Sequence, residues 1–322
     1  MHVQGWKVPE PNSLQGSPAG RATAPDPRRV LLTGARGFVG SEVKRQLLAS
    51  GHEVVAVSRH LRGGKVSPGV IQVAADITGD GWQRWCEGCG VAIHLVGIIR
   101  QVPRAGVTFE RAHVVSTRRV IAACHSLGIR RLVHMSALGA RAGAATPYHR
   151  TKWQAEEAVR ASGLDWTIFR PSLIFGPGDG FSTTIAPALR RFPIFPIFGD
   201  GTYRLQPVAV EEVARCFVAA LERPVTIGET YELGGPEVLT YNEVLRRISQ
   251  ALGLRRAFVH LPLGLAKFVI SIIQHLPGAP ITRDQLTMLL EGSTCDASAA
   301  SLTFGVPAAR FQGPIWLRAT QK

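Results

Sequence analysis

The sequence predicts an α/β fold in which a doubly wound parallel sheet is followed by a smaller C-terminal lobe. Short apolar runs alternate with longer helical stretches from Arg29 onward. A turn rich in glycine joins the first apolar run to the first helical stretch, and the alternation loosens after Pro171. A repeated strand-helix-strand order is typical of a parallel sheet that helices cover on both faces. Right-handed crossover connections then favour the doubly wound arrangement.

The elements of the first part follow from these runs. The predicted strands are Val30–Thr33, Glu53–Ser58, Val70–Ala74, Val91–Val96, Arg131–Met135 and Trp166–Arg170. The predicted helices are Phe38–Ser50, Glu110–Ser126 and Tyr148–Ser162. The strand runs carry little polar alternation, as expected of parallel strands that are buried on both faces.

The second part has a less regular pattern. Gly176–Gly180 is predicted to be a loop, and the proline-spaced segment Phe192–Phe198 is predicted to lack regular structure. Two helices and one short strand are predicted after them, at Val210–Leu221, Tyr241–Leu252 and Thr230–Leu233. We expect this part to form a lobe that closes over the sheet, with some elements returning to pack on it.

The composition limits the class of protein. The chain has 322 residues, 45% of them hydrophobic, and a net charge of +14, which suits a globular chain and excludes a disordered or collagenous one. Five cysteines, an odd number, point to a reducing compartment. The arginines are scattered in pairs instead of forming one basic tract, so we predict no nucleic-acid partner. The charge is typical of a solvated surface rich in arginine. An anionic membrane surface, an acidic protein or a phosphorylated ligand remains an alternative partner for it.

No apolar stretch reaches the roughly 18 residues that a membrane-spanning helix needs. The N-terminal segment has neither the apolar core of a secretory signal nor the amphipathic pattern of a transit peptide. We therefore predict a disordered tail at its start and a cytoplasmic location, with a possible peripheral position on the inner-membrane face.

A glycine-rich turn follows the first predicted strand. Gly34, Gly37 and Gly40 allow a tight turn, a close approach of backbone to a pyrophosphate and close packing of helix on strand. The helix that begins with Phe38 and Val39 would present free amide groups to the phosphates. This context on both sides predicts a dinucleotide site, whereas the alternative is a plain strand-helix turn.

The residues after the second predicted strand bear on the choice of cofactor. Ser58 and Arg59 stand where an acidic residue would bind the ribose hydroxyls of NAD, and Arg62 and Arg36 lie nearby in the sequence. Planar guanidinium groups suit a 2′-phosphate, so the sequence favours NADP(H) over NAD(H). Asp76, with Ile77 beside it after the third strand, could meet the adenine amino group or cap a turn.

Three polar residues form a candidate catalytic group. Tyr148 and Lys152 are four residues apart and so share one helix face, and Ser136 lies just beyond the fifth strand. We expect the ammonium to lower the phenol pKa, which would make Tyr148 a proton donor or acceptor. The Ser136 hydroxyl could hold a substrate oxygen, and Lys152 could also bind the nicotinamide ribose.

These motifs resemble the extended or atypical short-chain dehydrogenase/reductases. The resemblance covers residues 29–243 and includes the three glycines, Ser136, Tyr148, Lys152, His94-Leu95-Val96-Gly97, Arg170-Pro171-Ser172 and Gly176-Pro177-Gly178-Asp179. It implies that Pro171 abuts the nicotinamide and that Leu95, Val96 and Gly97 lie along the cofactor, with Gly97 at the inner ribose. Extended enzymes usually carry Asn where this chain has His113, although His can also relay protons.

A narrower likeness points to the subunit-nine family of respiratory complex I. It rests on Leu132–Ala140, Leu205–Val208, Tyr231–Glu237 and Pro280–Gln285. That family includes a mitochondrial accessory subunit that holds NADPH without a known turnover. The likeness therefore implies a possible role as a non-catalytic accessory or assembly subunit.

Two further segments each have a functional and a structural interpretation. Cys86 and Cys89 have the spacing of half a metal site, but there is no second pair, so we predict no metal. The apolar segment at residues 261–276 could roof the substrate pocket. Its alternative role is to contact a membrane or a subunit of a membrane complex.

The sequence as a whole predicts an NADP(H)-binding oxidoreductase or epimerase that acts on a carbonyl or alcohol carbon through Ser136, Tyr148 and Lys152. The alternative is the accessory subunit of complex I, and the substrate stays open. The predicted organisation is a tail at 1–28, an NAD(P)-binding Rossmann domain at 29–175 and a C-terminal lobe at 176–322.

Overall fold

A computed structural model describes residues 28–60, 67–274, 279, 281–305 and 309–312. The predicted tail at 1–28 lies outside the described residues apart from Arg28, as do Arg62 and the last two residues of the 261–276 segment. In chain order the strands are β1 (Arg29–Thr33), β2 (Glu53–Ser58), β3 (Val70–Ala74), β4 (Val91–His94), β5 (Arg131–Met135), β6 (Asp165–Pro171), β7 (Ile174–Phe175), β8 (Ile194–Phe198), β9 (Arg204–Leu205), β10 (Val208–Ala209), β11 (Glu229–Leu233), β12 (Leu239–Thr240) and β13 (Ala257–Leu261). The α-helices are α1 (Phe38–Ala49), α2 (Ser116–Ser126), α3 (Pro147–Arg160), α4 (Gly180–Arg191), α5 (Val210–Ala219), α6 (Tyr241–Ala251), α7 (Leu263–Ile273), α8 (Arg283–Glu291) and α9 (Ser298–Phe304).

Seven parallel strands form the central sheet, in the order β11-β6-β5-β4-β1-β2-β3. Successive residues of a strand point to opposite faces, so Leu32 packs in one core with α1 and α5. Leu31 packs in a second core with α2 and α3 on the other face. The predicted doubly wound α/β fold is therefore confirmed. The chain reverses its direction of winding between β1 and β4, and ligands of such sheets bind at that point.

The C-terminal part holds three small two-stranded sheets, which pair β7 with β10, β8 with β13 and β9 with β12. Helices α4 and α6 share a third apolar core with them. Strand β11 leaves this part and pairs with β6 at the edge of the main sheet. The division of the chain at residue 175 stays a prediction.

The expectation of irregular structure at 192–198 is wrong. Strand β8 runs from Ile194 to Phe198 and pairs with β13, a strand that local patterning did not indicate. Pro196 fits there because β8 is an edge strand of a two-stranded sheet, and its missing amide group breaks no ladder. Helix α4 likewise begins at Gly180, inside the predicted loop, because the Asp179 carboxylate accepts a hydrogen bond from the Ser182 amide and caps it.

The predicted helix at Glu110–Ser126 is confirmed, but its first turns differ from an ordinary helix. Residues Glu110–Val115 form a π-helix that continues directly into α2. Such turns are rare and are often found at functional sites. This one places His113 against the end of β4. Within the described part of the chain, no helix is both long and apolar enough to cross a bilayer.

Candidate functional site

The glycine turn between β1 and α1 has the close packing that a dinucleotide site requires. Gly34 has a φ of +75°, and the Gly37 amide donates to its carbonyl oxygen over 2.9 Å. A Cβ atom on Gly40 would stand 2.1 Å from that same oxygen, so only glycine fits there. No side chain caps the N-terminus of α1 at Gly37, which leaves its first amide groups for a ligand. These features fit a bound pyrophosphate.

A cavity of about 430 Å³ runs along the carboxyl ends of the central strands. Ten of the residues predicted to bind the cofactor line it, namely Gly34, Arg36, Gly37, Ser58, Arg59, Asp76, Ile77, Leu95, Val96 and Gly97. Phe38, Val39 and Gly40 lie behind the turn, where the side chains of Phe38 and Val39 join the apolar core. These three residues can therefore bind a ligand only through their backbone amide groups.

Two arginines lie at the end of the cavity that borders β2. Arg36 donates a hydrogen bond to the His60 carbonyl oxygen, which fixes its guanidinium beside the residues that follow β2. Ser58 donates to the same oxygen over 3.0 Å, and Arg59 is exposed. The described residues that follow β2, up to His60, include no carboxylate. This end of the cavity is thus positively charged.

Asp76 caps a turn, which is one of the two roles that the sequence predicts for it. Its carboxylate accepts hydrogen bonds from the amide and the hydroxyl of Thr78, at 3.0 and 2.7 Å. Its other oxygen accepts from Arg111 at 2.9 Å. Burial opposes the charged form, but these hydrogen bonds lower the pKa of Asp76. A contact to adenine stays a prediction. Arg111 also lines the cavity, and no sequence motif pointed to it.

Ser136, Tyr148, Lys152 and Pro171 do not line this cavity. Lys152 lies on the buried face of α3, next to Gly97, which does line it. Its Nζ atom donates a hydrogen bond to the Met135 carbonyl oxygen over 3.0 Å, at the end of β5. The same atom would lie 2.9 Å from a Cβ on Gly97, so the glycine makes room for the ammonium. Burial lowers the pKa of Lys152 to about 8, although the nearby Glu156 carboxylate opposes this shift. Lys152 is therefore mostly charged at neutral pH.

Tyr148 lies one helical turn before Lys152 and is almost fully buried. Its ring meets those of Phe109 and His113 edge-on, with centroids 5.8 and 5.4 Å apart. Met288 of α8 packs against the same cluster. Burial raises the pKa of Tyr148 to about 12, so the expected lowering by the neighbouring ammonium is wrong for this structure. The phenol stays protonated at neutral pH and can act as a proton donor.

Ser136 lies between Met135, whose carbonyl group binds Lys152, and Ala137, which packs with Tyr148. Its amide donates to the Phe169 carbonyl oxygen over 2.7 Å, which fixes the chain beyond β5. Its hydroxyl is buried and has no hydrogen-bond partner among the described residues. A buried hydroxyl without a partner is costly, and a polar ligand atom would satisfy it. Pro171 ends the next strand, β6, and its carbonyl oxygen accepts from the Leu138 amide over 3.0 Å.

His113 is held by both of its ring nitrogens. The Thr151 hydroxyl donates to helix carbonyl groups, so it must accept from His113 Nδ1 over 2.8 Å. Nε2 then accepts from the Ile98 amide over 3.1 Å. Burial lowers the pKa of His113 to about 2. A neutral ring with both nitrogens bonded holds the loop after β4 against α3, and it is poorly suited to relay protons.

Two more histidines lie beneath the site, on β4 and β5. His94 bonds to the hydroxyls of Thr33 and Thr117, at 2.6 and 3.1 Å, so both of its ring nitrogens have partners. His134 stacks on it with ring centroids 5.3 Å apart. Neither ring nitrogen of His134 has a hydrogen-bond partner in the described part of the chain. Burial lowers the pKa of His94 to about 3 and that of His134 well below its usual range.

Known proteins resemble this chain over most of its length. The chain is 30% identical to the mitochondrial NADH dehydrogenase [ubiquinone] 1 alpha subcomplex subunit 9 of Arabidopsis thaliana over 247 residues, 73% of this chain and 60% of that protein. It thus spans less than two thirds of that relative's length. It is 28% identical to a ceramide reductase of Caulobacter vibrioides over 239 residues, 72% of this chain and 73% of that protein.

The fold has solved counterparts. The structure of MoeE5 in complex with UDP-glucose and NAD superposes with a TM-score of 0.71 at 22% identity, covering 91% of this chain and all of that one. The model of the family described as NAD dependent epimerase/dehydratase matches residues 30–234. The resemblance predicted from the glycine turn and the Tyr-Lys pair is confirmed. The chain belongs to the NAD dependent epimerase/dehydratase family.

Proposed function

We propose that this protein is an NADP(H)-dependent oxidoreductase that reduces a carbonyl group to an alcohol, or catalyses the reverse. The observation that carries the proposal is the convergence of three groups: the protonated Tyr148 phenol, the Lys152 ammonium and the unpartnered Ser136 hydroxyl. Lys152 binds the backbone of the residue before Ser136, and Tyr148 packs in a cluster with the residue after it. All three therefore belong to one site.

The roles of the residues follow from their states. A bound dihydronicotinamide would supply the hydride, with Pro171 beside its ring and Gly97 beside its ribose. The Ser136 hydroxyl donates a hydrogen bond to the substrate oxygen, and Tyr148 transfers its proton to that oxygen. The Lys152 ammonium favours the phenolate that remains. Epimerisation would use the same three residues, with oxidation followed by reduction at one carbon.

Replacement of Tyr148 tests the mechanism. NADPH oxidation would be followed with a panel of carbonyl compounds, which includes ketones with long acyl chains because the Caulobacter relative is a ceramide reductase. The Tyr148→Phe variant is expected to lose about 10²- to 10⁴-fold in kcat, since it lacks only the transferable proton. Its Kd for NADPH should stay unchanged. A Tyr231→Phe variant, which removes another buried phenol, should keep wild-type turnover; equal rates in the Tyr148→Phe and wild-type proteins would overturn the mechanism.

The preference for NADP(H) rests on Arg36 and Arg59 at the end of the cavity beside β2. An Arg59→Ala variant is expected to bind NADPH about 10- to 100-fold more weakly, because a charge-assisted hydrogen bond to phosphate is lost. Its affinity for NADH should change little. Calorimetric titration of both nucleotides would measure this difference, with Arg215→Ala on the exposed side of α5 as the control. An equal loss for both nucleotides would contradict the assignment.

A second candidate function is that of a cofactor-holding subunit of the respiratory NADH:quinone oxidoreductase. The Arabidopsis relative is named as a subunit of that complex. The cover over Tyr148 also favours it, because Arg100 donates to the Ala279 carbonyl over 2.6 Å and Arg141 pairs with Glu291 at 3.2 Å. The second contact holds α8, whose Met288 packs against the Tyr148 cluster, to the loop that follows Ser136. NADP(H) would then stabilise the native fold by binding to it alone.

Native-gel separation of gently solubilised membranes distinguishes the two functions. Comigration with NADH:quinone oxidoreductase activity, together with a Tyr148→Phe variant that still assembles, would support the subunit and a peripheral position on the inner-membrane face. Recovery in the soluble fraction, together with NADPH-dependent turnover, would support the enzyme and a cytoplasmic location.

A further inference from the structure

Helix α7 has more apolar residues exposed to solvent than buried. Only Ala266 and Ile270 of this helix are buried, and they share one face. Leu265, Phe268, Val269 and Ile272 are all exposed, with Phe268 at 64% and Ile272 at 57%. We call these four residues the docking face. A helix of a globular protein normally turns such a stripe toward the core, so this one is oriented for an apolar partner.

The docking face is one continuous stripe. Its residues stand at positions i, i+3, i+4 and i+7, which lie side by side along a helix. The helix has 11 residues, about 16 Å at 1.5 Å per residue, which is about half the thickness of a bilayer core. A partner bilayer would therefore meet this helix lying flat in its interface.

The strands that lead into α7 add exposed apolar residues. Ile194 of β8 and Val259 of β13 are exposed, and so is Phe192 just before β8. These two strands pair with each other, and Leu263 at the start of α7 packs against Gly199 at the end of β8. Strands and helix form one connected unit. The exposed residues named so far in this unit are all aliphatic or aromatic.

The charges of this unit decide which partner fits. Residues 190–200 and 255–274 hold five cations and a single carboxylate, and the cations are Arg190, Arg191, Arg255, Arg256 and Lys267. Arg191 lies 5.7 Å from the centre of the Phe192 ring, and Lys267 is the one charged residue within α7. Exposed apolar residues in a unit where cations outnumber carboxylates match the surface of an anionic bilayer.

We propose that the docking face binds anionic lipid bilayers, with α7 lying parallel to the membrane surface and the basic residues at the headgroups. The apolar side chains enter the boundary of the acyl chains, and the cations attract the lipid phosphates. The proposal is independent of the enzymatic one, because it involves no residue of the dinucleotide cavity.

Flotation of the full chain with lipid vesicles tests the proposal. The protein should float with vesicles of phosphatidylcholine mixed with phosphatidylglycerol and stay behind with phosphatidylcholine alone. A Phe268→Glu, Ile272→Glu double variant should lose about tenfold or more of its binding, because two exposed apolar side chains that would enter the bilayer are replaced by charges that the anionic surface repels. A Leu302→Glu variant is the matched control, since Leu302 on α9 is 86% exposed and lies outside the unit.

Each other outcome would overturn the proposal. Equal loss in the α7 double variant and the Leu302→Glu variant would show that no particular face is used. Absence of flotation with the anionic vesicles would exclude lipid as the partner. A wild-type dimer in light scattering that the double variant converts to monomer, without flotation, would identify a second copy as the occupant. Melting temperature and NADPH affinity of each variant separate misfolding from lost docking.

Discussion

A Gly40→Ala variant is expected to lose the dinucleotide site and much of the stability of the fold. A Cβ at this position would stand 2.1 Å from the Gly34 carbonyl oxygen and 2.8 Å from its carbon. Both are backbone atoms of the turn, so α1 must move away from β1 to relieve the clash. Overpacking of this kind costs about 3 kcal/mol. Displacement of the first amide groups of α1 should also weaken NADPH binding about 100-fold or more.

Thermal melting and NADPH titration of the variant would measure both effects. Gly90→Ala is the matched control, because a Cβ there meets nothing within 4 Å and the residue needs no left-handed backbone. The control should melt and bind like the wild type. A Gly40→Ala protein with wild-type melting and affinity would mean that the turn tolerates a side chain, which contradicts the packing described above.

The free energy of unfolding is expected to fall steeply as the pH drops below 6.5. Burial lowers the pKa of His94 to about 3 and of His113 to about 2, and that of His134 well below 6.5. In the unfolded chain all three titrate near 6.5, so below that pH the unfolded state binds more protons. Their contribution is fully present above pH 6.5 and is lost as the pH falls toward the folded values.

The size of this effect is large for a protein of ordinary stability. Each histidine should contribute about 2 kcal/mol of destabilisation between about pH 7 and pH 5, or about 6 kcal/mol together. Burial raises the pKa of Asp179 and Glu212, and this offsets part of the loss. Native domains are stable by about 5–15 kcal/mol, so the protein should be close to unfolding at about pH 5.

Denaturant unfolding across this pH range would measure the slope. A His134→Leu variant should lose about 2 kcal/mol of this pH-dependent change, because one of the buried histidines that take up protons on unfolding is gone. It should also be more stable at neutral pH by about 1 kcal/mol, since two unsatisfied ring nitrogens are removed from the core. Replacing the exposed His125 by Gln is the control and should leave the slope unchanged. A pH-independent wild type would contradict the burial of these rings.

Most titratable groups around Lys152 are uncharged at neutral pH, which suits the proposed reduction of a neutral carbonyl group. The histidines around Lys152 are neutral and the Tyr148 phenol is protonated, so the ammonium is the main charge beside the reacting groups. Its field acts through a buried, weakly polar environment and is therefore poorly screened. In the mechanism that we propose, this field would favour the phenolate left after Tyr148 gives up its proton.

The sequence by itself determined the features that depend on local patterns. The parallel sheet follows from apolar runs that alternate with helical stretches, and the dinucleotide turn follows from glycine spacing between β1 and α1. The Tyr148–Lys152 pair was also predictable, because an interval of four residues places two side chains on one helix face. Each of these signals lies within a short stretch of chain, so the residues carry it without knowledge of the fold.

The tertiary structure alone decided the features that join distant segments. Strand β8 exists because it pairs with β13 more than 60 residues away, and the Asp76–Arg111 pair joins residues 35 apart. The raised pKa of Tyr148 depends on burial by Phe109 and by Met288 from α8, and the two bonds of His113 depend on contacts with Ile98 and Thr151. Burial and long-range pairing are set by the packing of the whole chain, and no short stretch of sequence contains them.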